Sequence, residues 1–111
     1  TWVYQLDWRV DEKIGAPHTL DIPLVFDTTH VPEALSGDSD AARKMSAIMS
    51  ETLLAFAKTG TPANALLPDW PHYSLAQRET MVMDLPPRLE NDPRKAEREL
   101  FATVPYVQPG T

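Results

Sequence analysis

The stretch Gly15–Phe26, GAPHTLDIPLVF, sets one histidine between a glycine turn and an apolar run. What lies on either side decides what that histidine can be. Upstream, TWVYQLDWRV alternates: Trp2, Tyr4, Leu6, Trp8 and Val10 fall on one face, and Val3, Gln5, Asp7 and Arg9 on the other. Period two with aromatic and branched residues predicts a strand. The chain then turns over Asp11–Gly15, and Pro17, which lacks an amide donor and biases Ala16 to an extended form, places His18 on a loop after the strand. Downstream, DIPLVF is a short buried run in which Pro23 argues against a regular central strand or a long helix.

Further along, Met45, Ile48, Met49, Leu53 and Phe56 repeat at helical spacing and predict a helix over Ser39–Thr59 with one apolar stripe. Asp38, Ser39 and Asp40 suit its start; Lys58, Gly60 and Pro62 suit its end. TGTPANALLPDWPHY reads as loop, and ETMVMDL as a second strand. A last helix is expected from Pro93, capped by Asp92, to about Val104, with Ala96, Leu100 and Phe101 turned inward. The whole is an α/β pattern, but one early strand and one later strand give a sheet little of itself to pair with. The 111 residues therefore read as part of a single domain whose N-terminal portion lies outside this chain.

Composition narrows the function. Ten Lys and Arg against sixteen Asp and Glu give a formal charge of -6, with the basic residues scattered, which disfavours nucleic acid as a partner. No apolar run is long enough for a membrane span. Without cysteine there is no disulfide framework, thiolate nucleophile or Cys-based metal site. The three histidines, His18, His30 and His72, fit no compact ligand pattern, so neither metal nor cofactor is expected. Eleven prolines, about twice the usual share, point to much loop.

A histidine on a loop directly after a strand can aim Nε2 at a nucleophile while a carboxylate holds its Nδ1 proton, as acyl transfer by general-base catalysis requires. A structural loop histidine fits the residues as well. Asp21, only three positions on, is too close in the chain to orient the ring and reads as a local hydrogen-bond acceptor for the turn. GDSDA, Gly37–Ala41, has the outline of a serine elbow, but no β-branched strand leads into it, and Ser39 reads as a helix cap.

Taken in order, WVYQLDWRV, GAPHTLDIPLVF, FAKTGTPAN, WPHY and ETMVMD resemble the C-terminal part of the type-B carboxylesterases, which include para-nitrobenzyl esterases and cholinesterases. Each match is weak alone; the set is specific and spans nearly the whole chain. The resemblance implies a C-terminal segment of an α/β-hydrolase: a late sheet strand, the catalytic-histidine loop, a long helix, a short strand and a C-terminal helix. It implies that His18 is the general base of a Ser-His-Glu/Asp triad, with Gly15, Pro17 and Asp21 supporting its loop. Serine, acid and oxyanion loop would come from the N-terminal remainder of the same enzyme, acting on small uncharged esters. The isolated chain would then be inactive and would self-associate. Three positions depart from the pattern: Asp27 stands where glycine is common, Thr61 where aspartate is, and Leu53 where tryptophan is frequent.

Two other readings stay open on the sequence. One is a cholinesterase-like binding or adhesion module without the nucleophile, the other an independent small α/β domain. A G-x-S-x-G upstream separates the enzyme from the binding module. Secreted adhesion members usually carry disulfides, so the lack of cysteine points to a bacterial enzyme, cytoplasmic in preference to secreted, with secretion left open.

Overall fold

A computed structural model describes residues 1–107. Along them run β1 (Val3–Leu6), α1 (Asp21–Val25), α2 (Asp40–Thr59), β2 (Glu79–Met83), β3 (Arg88–Asn91) and α3 (Lys95–Phe101). The sheet has the order β1-β2-β3. β1 and β2 are parallel, with Val3 opposite Thr80 and Leu6 opposite Met83. A parallel pair needs a long crossover, and the segment carrying α1 and α2 provides it. β3 returns antiparallel to β2, from Glu79 opposite Asn91 to Val82 opposite Arg88.

β1 is shorter than the alternation over Trp2–Val10 suggests, because the amides of Asp7 and Trp8 both donate to the Met83 carbonyl at 3.0 Å and the chain leaves the ladder there. The alternating face is real all the same. Trp8 is buried, and Trp2, Leu6 and Val10 pack against the core, while Tyr4 stays half open. β2 is covered on both faces, with Thr80 to Met83 all buried. β3 carries no sequence signal of its own: RLEN has one apolar residue, and Met81 opposite Leu89 is what gives it a place.

DIPLVF folds as neither a strand nor a long helix. Its first five residues make the single short turn of α1, with Pro23 and Leu24 buried. α2 has the expected ends. The Ser39 side chain accepts the Ala42 amide at 3.1 Å, so this serine is a cap. At the other end Gly60 takes φ +78° and its amide closes on the Phe56 carbonyl at 2.8 Å. The buried face of α2, Ala42, Met45, Ile48 and Met49, joins Trp8, Leu20, Leu24, Trp70, Met81 and Met83 in one core. Each large member stabilises the fold by roughly 1.5–3 kcal/mol relative to exposure.

α3 corrects the expectation for the last helix. It is shorter, Lys95–Phe101, and buries no residue; Leu100 and Phe101 are 65% and 69% exposed. Asp92 is not its cap. At φ +50° it takes a two-pronged grip from Arg98, whose Nε and Nη2 reach its carboxylate at 3.0 and 2.6 Å. The side chain turned inward on α3 is thus a guanidinium, and the apolar residues are left outside.

Candidate active site

His18 is built from the turn upward. The Asp11 carboxylate accepts the amides of Lys13 and Ile14 at 2.8 and 2.6 Å. The Val10 amide then donates to the Gly15 carbonyl at 3.0 Å, and the Gly15 amide to the Asp11 carbonyl at 2.9 Å. Gly15 sits at φ +69°, a conformation that glycine adopts without steric cost. Pro17 follows, and its carbonyl accepts the Leu20 amide at 3.2 Å, so the backbone folds around His18 in a tight turn. Leu20, 1% exposed, plugs this turn into the core. His18 itself stands exposed at the apex.

The hollow at this apex is lined by Tyr4, Leu6, Pro17, His18, Thr19 and Asp21, among others. It contains no serine, threonine hydroxyl partner or carboxylate bonded to the ring among the described residues. Asp21 is the first residue of α1, and no hydrogen bond onto its carboxylate occurs among the described residues. Its charge is felt instead by Tyr4, whose phenol is held above its ordinary pKa first by partial burial and then by Asp21. Tyr4 and Thr19 are members of this hollow that the residue pattern gave no reason to single out; Tyr4 reads as a core position of β1.

The other two histidines do not line this hollow. His72 lies against the Trp2 ring, centroids 4.1 Å apart, and His30 is exposed. No group of three or more metal-ligating side chains gathers among the described residues, nor is any helix there long and apolar enough to cross a membrane.

Asp27, the position where glycine is common in the resembling family, takes φ +52°. Aspartate tolerates this left-handed form better than most residues. It is also tied down: the fully buried Ser46 hydroxyl lies 3.0 Å from the Asp27 carboxylate and 3.0 Å from the Leu24 carbonyl. α1, which follows His18, is thereby pinned to α2.

Between β1 and α2 opens an apolar cleft of about 490 Å³ lined by Trp2, Tyr4, Met49, Leu53, Phe56 and Trp70, among others. Phe56 meets the Trp2 ring edge-on, centroids 5.9 Å apart. The buried indole Nε1 of Trp70 has no hydrogen-bond partner among the described residues. A lone exposed imidazole can accept a proton from a group brought to it, but among the described residues no serine lines the hollow at His18.

Comparison with known proteins places the chain in a family. The model of the carboxylesterase family matches residues 1–102. The para-nitrobenzyl esterase of Bacillus subtilis (strain 168) is 30% identical over 102 residues, covering 88% of this chain and 21% of that protein. Among solved structures, a thermophilic PNB esterase superposes with a TM-score of 0.78 at 33% identity, and a Geobacillus stearothermophilus carboxylesterase with 0.74 at 30%. Each covers 88% of this chain and 21% of its own. The chain thus spans about a fifth of the length of these relatives, and its mixed sheet and helices are a piece of their α/β-hydrolase fold. With a family match over almost every residue, this chain belongs to the carboxylesterase family.

Proposed function

We propose that this chain supplies the general-base histidine, His18, of a serine carboxylesterase acting on small uncharged esters. The serine, the acid and the oxyanion donors come from polypeptide outside these 111 residues, which form the C-terminal part of the same domain. His18 takes the serine proton as the hydroxyl attacks the ester carbonyl and returns it to the departing alkoxide. It then takes a proton from water as that water attacks the acyl-enzyme, and returns it to the serine oxygen as the acyl–serine bond breaks and the acid leaves. The observation that carries this reading is the presentation of His18: an exposed imidazole at the apex of a turn that Gly15, Pro17 and buried Leu20 hold in shape. The open cleft and the unpartnered Trp70 Nε1 support a fold continued by further polypeptide, and the absence of cysteine suits a reducing cytoplasm.

The test is His18→Asn in the protein that carries this chain. Hydrolysis of a para-nitrophenyl ester should lose at least about a thousandfold in kcat with little change in KM. The 111-residue chain alone should hydrolyse the ester no faster than free imidazole, because it lacks nucleophile and oxyanion donors. A loss under about tenfold in the variant removes His18 from the chemistry. Saturable hydrolysis by the isolated chain, abolished by the same substitution, would mean that the whole site lies within it.

A further inference from the structure

Two non-glycine residues in the left-handed region bracket α1: Thr19 at φ +70° before it and Asp27 at φ +52° after it. They are not equivalent. Asp27 is of a type that tolerates this form, and its carboxylate is bonded to Ser46. Thr19 is β-branched, and a β-branched residue at positive φ is a genuine outlier. Nothing its side chain does offsets that cost. Thr19 is exposed, and among the described residues neither its hydroxyl nor its amide makes a hydrogen bond; only its carbonyl does, accepting the Ile22 amide at 3.1 Å. The conformation is imposed from outside, by Leu20 buried at 1% on one side and the Pro17 turn on the other. Strained backbone of this kind persists where the surroundings over-determine it, and it clusters at functional sites. Here it directly follows His18.

We infer that Thr19 is a positioning residue for His18: its left-handed backbone reverses the chain at the apex, so that Leu20 goes into the core while the imidazole stands out. The backbone conformation does this, and the threonine side chain does not. The inference rests on His18 being the base, and the test separates the two. In the protein that carries this chain, Thr19→Gly and Thr19→Asn accept positive φ, Thr19→Val keeps the branch without the hydroxyl, and Thr19→Pro locks φ near -65°. Thr19→Gly, Thr19→Asn and Thr19→Val should keep kcat for a para-nitrophenyl ester within about threefold, and Thr19→Pro should lower it about a hundredfold, the scale of an ångström-level misplacement. KM should hold within about threefold throughout, and the urea midpoint shows whether Thr19→Pro is folded. Loss in the Gly or Asn variants as deep as in Thr19→Pro, or a folded Thr19→Pro at the parent rate, overturns the inference. A Thr19→Pro that does not fold leaves the Gly, Asn and Val arms to decide: unchanged kcat supports it, a deep loss refutes it. If His18→Asn leaves turnover intact, the assignment of His18 falls and this inference with it. If His18→Asn abolishes turnover and all four Thr19 variants, folded, share one kcat, this inference alone falls.

Discussion

Along α2 the apolar stripe divides: Met45, Ile48 and Met49 are buried, whereas Leu53 and Phe56, continuing it toward the C-terminus, are 45% and 47% exposed. Along α3 the division is complete, since Leu100 and Phe101 both face outward and Arg98 turns in toward Asp92. The two helices are held by different forces. α2 is anchored through its first half by close-packed apolar contact, which is non-directional and scales with area. α3 is anchored by one charge-assisted, two-pronged hydrogen bond, which is directional and answers to pH and salt. Helical spacing shows that a residue shares a face with others; what covers that face is written elsewhere in the chain or beyond it.

The widest separation between the two anchors should come from truncating the buried half of α2. Met45→Ala removes a side chain with no exposed surface from among Leu24, Met81 and their neighbours. It should cost about 2–5 kcal/mol, read as a lower urea midpoint at unchanged slope. The open half should behave otherwise. Leu53→Gln with Phe56→Gln in the 111-residue chain should change stability by no more than about 1 kcal/mol per site, the edge contact of Phe56 with Trp2 included. The same pair should move the chain from self-associated to monomeric in sedimentation, because the cleft lining loses its apolar character. A stability loss approaching that of Met45→Ala would show that the cleft is closed in solution and that the stripe is one continuous core.

What the sequence makes legible follows the same line. β1, the loop of His18, α2 with its Ser39 cap and Gly60 stop, and β2 are all readable, because each is fixed by local chemistry: alternation, a proline, a capping hydroxyl, a left-handed glycine. β3 is not, since RLEN is polar and its place is set by the register on β2. α3 is misread for a related reason. Ala96, Leu100 and Phe101 have the spacing of a buried face, but the side chain of α3 that finds a partner is Arg98, on Asp92 six residues before it, a pair of charged residues that pattern assigns to solvent. At the site, Gly15 and Pro17 announce the turn around His18, whereas the positive φ of Thr19 leaves no trace in the residue type. The departure at Asp27 is legible only in hindsight: a glycine position is a left-handed position, and aspartate fills it with Ser46 as its tether.

The smallest effect bears on the polar anchor. Arg98 donates to the Asp92 carboxylate and holds its pKa below the usual aspartate range; partial burial opposes this, and the charges of Arg98, Arg78 and Lys95 add to it. A carboxyl whose folded pKa is depressed contributes stability that is present above its unfolded pKa, about 3.9. That contribution is lost as pH falls through the lower folded value. Asp92→Asn keeps a residue that tolerates φ +50° and removes the charge. The parent chain should therefore be the more stable at pH 7, and the gap in urea midpoint should narrow steadily below about pH 4. Salt at pH 7 should narrow it too, since the pair is only partly shielded from solvent. Met45→Ala provides the contrast, because a cavity in an apolar core has no proton to bind and its cost should hold across the same pH range. If the Asp92→Asn gap proves as flat as the Met45→Ala gap, α3 is held by packing after all, and the distinction between the two helices disappears.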